Sequence, residues 1–141
     1  MSVVLYASVI LEKDGKFLLV QEGKEIHAKK WNIPGGHVDD GEHFLAAAIR
    51  EAKEEVCVGV AIDGIVQIFE SLKSVHVVFY GKITNGTATP GDDILDCQWR
   101  TIGEMRDMPE ESILQPWKFK ILIQRLEDRK FFPLDVLVEK E

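Results

Sequence analysis

The chain has 141 residues and a formal net charge of −7 from 17 basic and 24 acidic side chains. That balance excludes a protein that coats nucleic acid, which needs a basic face. No apolar run approaches the length of a membrane span and no basic-then-apolar presequence opens the chain, so one soluble cytoplasmic domain over residues 1–141 is expected. Cys57 and Cys97 lack metal-motif spacing and are too few for a disulfide framework, so two buried thiols are expected.

Residues 3–11 are almost continuously apolar and β-branched, which predicts a buried strand. Asp14-Gly15 is a hairpin turn signal, and residues 17–20 read as the returning strand. Residues 22–30 are polar and read as a loop, with Lys24, Lys29 and Lys30 as the basic stretch before the glycines. Residues 31–33 are a short extended piece stopped by Pro34-Gly35-Gly36. A helix follows, with Leu45, Ile49, Ala52 and Val56 as its apolar stripe.

Residues 62–70 and 75–83 read as two strands, 85–93 as a loop and 96–100 as a last core strand. Thr101 and Glu104 have capping-box spacing for a short helix. Pro116 suits the first turn of a C-terminal helix, where Phe119, Leu122, Ile123 and Leu126 form a second stripe. Residues 132–134 close the chain as a short strand or a packed tail. Strands interleaved with two amphipathic helices predict an α/β or α+β fold.

The chemistry concentrates between residues 36 and 55. Gly36 is followed after five residues by Glu42, and after seven more by Arg50-Glu51-x-x-Glu54-Glu55. Glu51, Glu54 and Glu55 stand at i, i+3 and i+4, so a helix places them on one face, off the apolar stripe. At ~5 Å and an effective dielectric of ~20, each close pair of carboxylates costs roughly 3 kcal/mol. Either water screens such a cluster or a cation occupies it. An acidic site also repels a phosphate substrate unless a divalent metal bridges the two. Oxygen donors of this kind suit magnesium, whereas His27, His37, His43 and His76 share no spacing and suit it poorly.

The stretch from Gly36 to Val58 resembles the signature of the Nudix hydrolases, which cleave a nucleoside diphosphate linked to another moiety. The resemblance implies a three-layer α/β/α sandwich with a mixed β-sheet. It implies a pyrophosphohydrolase that uses Mg2+, with Mn2+ as a substitute, on a small nucleotide or diphosphate. Glu51, Glu54 and Glu55 carry over as metal-binding carboxylates, with Glu51 as a candidate base, and Gly36 offers a backbone carbonyl to the metal. Arg50 is expected to orient Glu54 or another carboxylate. Glu42 ties the loop to the helix start, beside the motif glycine Gly35.

Relatives recruit a further acidic residue downstream, for which Asp93 and Asp96 are the candidates, with plain loop solvation as the alternative. Trp31 is expected either to stack on a base or to pack in the core, His37 to reach a phosphate, and Lys30 either to clamp phosphates or to remain solvated. The stretch 93–99 and the late Phe131-Phe132-Pro133-Leu134-Asp135 are similar to a subgroup of nucleoside tri- and diphosphate phosphatases, some of which hydrolyse a thiamine-precursor pyrimidine pyrophosphate. ADP-ribose or nucleotide-sugar hydrolysis and a non-catalytic nucleotide sensor stay open, as does a homodimer. No membrane or nucleic-acid polymer is expected as a partner.

One position departs from the signature. Cys57 stands where glycine is usual, and Gly59 follows two residues later. A Cβ at positive φ costs roughly 1 kcal/mol, so the helix is expected to run past Cys57 and end at Gly59.

Overall fold

The structure, a computed structural model, describes residues 2–27 and 29–141. Among the described residues, seven strands and three α-helices follow one another as β1 (Val4–Lys13), β2 (Lys16–Glu22), β3 (Trp31–Asn32), β4 (Gly35–His37), α1 (Phe44–Val56), β5 (Gly59–Glu70), β6 (Ser74–Asn85), β7 (Ile94–Arg100), α2 (Ile102–Asp107) and α3 (Pro116–Asp128). Asp14 and Gly15 take φ of 53° and 74°. Two successive positive values make the type I′ turn that matches strand twist, so β1 and β2 pair as a hairpin.

The sheet is mixed. β1 runs parallel to β6, antiparallel to β2, and antiparallel to the short β4. β5 and β7 pair antiparallel with β6 and β2 respectively. Side-chain alternation divides the core between the two sheet faces. Ala7, Val9, Leu11, Leu18, Val20, Val77 and Phe79 pack with Ala47, Ala48, Ala52 and Val56 of α1. Ile10, Phe17, Leu19, Val66, Val78 and Tyr80 pack with Met105 of α2 and with Phe119, Leu122, Ile123 and Leu126 of α3. Both faces of these strands are covered, which is why they read as unbroken apolar runs. The expected α+β fold with a mixed sheet between helices is present.

Thr101 and Glu104 form the capping box, with Thr101 Oγ1 accepting from the Glu104 N–H and Glu104 Oε1 accepting from the Thr101 N–H. Pro116 opens α3. Among the described residues no helix is long and apolar enough to cross a membrane.

Four expectations are corrected. Glu22 belongs to β2 and is buried, and residues 25–27 form a 3-10 turn, so the predicted loop is shorter; its Ala28 lies outside the described residues. Ile49 is 40% exposed, and the buried stripe of α1 runs through Ala48 instead. The thiols are not both buried: Cys57 is exposed and Cys97 only partly covered. Helix α1 ends at Val56, with Cys57 in the left-handed region at φ 62° and its N–H on the Lys53 carbonyl.

The cause of that early stop lies in the loop between β6 and β7. The N–H groups of Thr89, Gly91 and Asp92 donate to the carbonyls of Val56, Glu55 and Glu54 at 3.1, 2.8 and 3.0 Å. Those carbonyls would otherwise be the orphan acceptors of the helix end. Gly59 meanwhile begins β5, opposite Asn85. A helix continued to Gly59 would remove both sets of bonds, which outweighs ~1 kcal/mol of strain at Cys57.

Gly91 approaches the helix closely. A Cβ there would lie 2.1 Å from the Glu54 carbonyl oxygen, whereas one on Gly103 meets only Thr101 Oγ1 at 3.9 Å. Gly91→Ala is therefore expected to destabilise the protein by about 1–3 kcal/mol, and Gly103→Ala to be neutral or stabilising. Thermal unfolding of both variants checks this; an unchanged midpoint for Gly91→Ala would show that the loop does not press on the helix.

Candidate active site

Strand β4 brings two glycines against the acidic face of α1. The Gly35 N–H donates to Glu55 Oε1 at 2.9 Å. A Cβ on Gly36 would lie 2.7 Å from Glu51 Oε1, and one on Gly35 would lie 2.1 Å from Ser8 Oγ. A side chain at Gly36 would push β4 from α1 and one at Gly35 would push β4 from β1, so the Gly-Gly pair is a requirement of close approach.

Arg50 organises the other carboxylates. Its Nε and Nη2 donate to the two oxygens of Glu42 at 2.8 and 3.0 Å, and its Nη1 to Glu51 and Glu54 at 3.1 and 2.8 Å. The same Nη2 also donates to the His37 carbonyl at 3.0 Å. Glu42 accepts the Asp39 N–H at 3.0 Å, which fixes the turn before the helix. Hydrogen bonds from Arg50 hold Glu42 below the usual carboxylate range. Arg50 is in turn held charged, first by Glu42 and then by Glu54.

The remaining acids are shifted the other way. Burial pushes Glu55 up to about 8 against the single N–H from Gly35, and Glu22 and Glu51 raise it further. Burial likewise raises Glu51, opposed by Arg50, and raises Glu22, opposed by a bond from Asn32. Glu54 is the more open, with 39% of its side chain exposed against 14% for Glu51. Glu22 is the acid that sequence reading missed: it ends β2, where the sequence predicts the start of a polar loop. The Val20-Gln21-Glu22 alternation, which puts Glu22 on the inward side with Val20, was the available signal.

A cleft of about 400 Å³ opens beside these groups, though Glu42, Arg50, Glu51 and Glu54 do not line it. Glu22, Glu55, Gly35, Gly36 and Lys24 line one part of it, and Tyr6, His37, Phe69, His76, Trp117 and Lys118 another. His37 reaches the cleft and packs against Tyr6, with ring centres 4.8 Å apart and planes tilted by 32°. Trp31 and Lys30 do not line it. Trp31 packs with the α3-side core, and its carbonyl accepts the Leu114 N–H. Lys30 is exposed, and Lys24 is the loop lysine at the cleft. The Asp93 carbonyl accepts the Gly23 N–H next to Glu22, whereas the Asp96 carboxylate is engaged by the Cys97 N–H and Gln98 Nε2. A larger depression of about 720 Å³ lies elsewhere and contains no motif carboxylate.

Among the described residues no three His, Cys, Asp or Glu side chains converge as a formed metal cage. The donor set nevertheless fits a hard cation. Buried carboxylates with raised proton affinity and few hydrogen-bond donors gain most from a divalent ion, and the exposed Glu54 leaves room for the waters magnesium keeps.

The NUDIX domain family profile matches residues 3–123. Nudix hydrolase 5 of Arabidopsis thaliana is 34% identical over 47% of this chain and 22% of its own length. An ADP-ribose pyrophosphatase of Methanocaldococcus jannaschii is 27% identical over 64% of this chain and 57% of its own. The chain thus spans less than two thirds of either relative. A NUDIX hydrolase structure from Nitrosomonas europaea superposes with a TM-score of 0.87, covering 99% of this chain and 98% of that one at 24% identity, and so has the same fold. With that profile covering most of its length and the glycine, arginine and glutamates of the signature gathered between α1 and β4, the chain belongs to the Nudix hydrolase family.

Proposed function

We propose that this protein is a magnesium-dependent pyrophosphohydrolase that cleaves the phosphoanhydride bond of a nucleoside di- or triphosphate or a related diphosphate. The observation that carries this reading is the pair of carboxylates Glu22 and Glu55 lining the cleft, with Glu51 against its lining residue Gly36, all three raised by burial. Glu51, Glu54 and Glu55, with the Gly36 carbonyl, would hold the metal, and Asp93 stands on the side of Glu22. When bound, the ion supplies charge neutralisation for the phosphates and a water of lowered pKa.

The chain's own residues do the rest. Arg50 keeps Glu51 and Glu54 in register through one guanidinium edge and acts as a positioning residue. Glu51, its proton affinity raised by burial and opposed by Arg50, is the candidate proton acceptor. His37 lies where it can meet a phosphate, and the aromatic part of the cleft can receive the moiety attached to it. ADP-ribose is the second substrate reading, supported by the name of the archaeal relative.

A turnover screen with magnesium across nucleoside triphosphates, oxidised dGTP, ADP-ribose, nucleotide sugars and thiamine-related pyrophosphates tests the reading. Glu54→Gln is expected to lower kcat by roughly 10²–10⁴-fold while the fold persists. Tight nucleotide binding without turnover in the wild type would instead make the protein a sensor.

The metal-free protein also has a signed pH dependence. Glu55 binds its proton more tightly folded, at about 8, than at its ordinary 4.5. The stability this contributes is present below pH 4.5 and is lost as pH rises through 8. His76, lowered to about 3 by burial, acts oppositely but only below its ordinary 6.5. Between pH 6.5 and 8 the melting temperature in EDTA is therefore expected to fall, and Glu55→Gln to flatten the fall. A wild-type profile that rises over that window would contradict the assignment.

A further inference from the structure

Beyond the signature, the cleft holds a line of polar side chains that the hydrolytic chemistry does not use. Lys118 Nζ donates to His76 Nδ1 at 3.0 Å, and His76 Nε2 lies 2.7 Å from Ser8 Oγ. An ammonium only donates, so Nδ1 is the acceptor, and Nε2 carries the proton and gives it to Ser8. Burial and the adjacent Lys118 charge favour this neutral ring by lowering His76 to about 3. Ser8 is buried on β1 and pairs with Gly35, whose N–H holds Glu55. The line therefore runs from α3 through β6, β1 and β4 to α1, with the ammonium at one end and the acidic cluster at the other.

Lys118 is held without being neutralised. Among the described residues no carboxylate lies within 4 Å of its Nζ. Its ammonium sits 5.2 and 5.6 Å from the ring centres of Phe69 and Trp117, and its stem is half-buried. Burial alone holds its pKa below the usual lysine range, with no acid to offset it. One of its three donors is used by His76, and the others remain for a group in the cleft. Lys24, the other cleft lysine, differs because its charge acts on Glu22, Glu51 and Glu55.

We propose that Lys118, seated by His76 and backed by Ser8, is an anion anchor that receives a phosphate of the substrate at the end of the cleft remote from the acidic helix. This rests on the cleft being the substrate site. It implies a preference for substrates that carry a phosphate beyond the group engaged at the acidic end, because a charged acceptor gains more from a desolvated ammonium than a neutral one does.

The anchor is separable from catalysis by measuring binding without metal. Inorganic triphosphate and the uncharged nucleoside guanosine are titrated calorimetrically into the full chain in EDTA. Lys118→Met is expected to weaken triphosphate binding about tenfold or more, with Lys118→Arg within roughly threefold of wild type and guanosine affinity unchanged. Lys118→Gln replaces the methionine variant if circular dichroism shows that variant unfolded. Equal triphosphate affinity in wild type and the uncharged variant overturns the proposal, as does a matching loss for guanosine. Turnover is not read, so either failure leaves the hydrolase reading standing, and an inactive wild type leaves the anchor standing.

Discussion

Helix α1 and strand β4 meet through glutamate carboxylates on one side and glycine backbone on the other, and this contact sets the terms for the rest of the site. Glu51 lies where a Gly36 side chain would be, and Glu55 takes the Gly35 N–H. The approach buries anionic oxygen with few donors to satisfy it. A carboxylate in that position either keeps a proton or takes a cation. Arg50 answers for Glu42, Glu51 and Glu54, but it makes no hydrogen bond to Glu55. The acid of the helix that burial raises to about 8 is thus the one with no arginine partner.

Holding that contact requires a helix anchored on its other faces. The Ala47, Ala48, Ala52 and Val56 surface packs flush on the sheet, because small side chains let the helix axis come close. The loop between β6 and β7 closes the C-terminal end by donating to the last carbonyls. The same loop leads into Asp93 beside Glu22, so the end of the helix and the second acidic edge of the cleft are fixed by one segment. On the opposite sheet face, α3 supplies Trp117 and Lys118 to the cleft. Two helices on two faces thus contribute to one site beside the short strand β4.

Much of this was legible in residue order. Apolar runs in β1 and β6, the Asp14-Gly15 turn, the Thr101–Glu104 box and the α3 stripe each declare themselves through local chemistry. The acidic triplet declared its shared face through i, i+3, i+4 spacing. What escaped was set by distant contacts. Cys57 ends α1 because loop N–H groups some 30 residues onward (Thr89, Gly91, Asp92) need the carbonyls of residues 54–56. Alanine at 48 rather than isoleucine at 49 faces the sheet because close packing selected the smaller side chain. His76 and Lys118 enter the site only because a strand and a helix converge, and neither carries a spacing signal of its own, whereas Glu22 had the β2 alternation.

On the proposed reading, a divalent cation displaces the proton that burial leaves on Glu55. Calorimetric titration of Mg2+ at pH 7, repeated in buffers of different ionisation heat, counts the protons released per ion bound. The predicted result is release of close to one proton by the wild type and markedly less by Glu55→Gln. Magnesium binding with no proton release, or with the same release in both proteins, would contradict it.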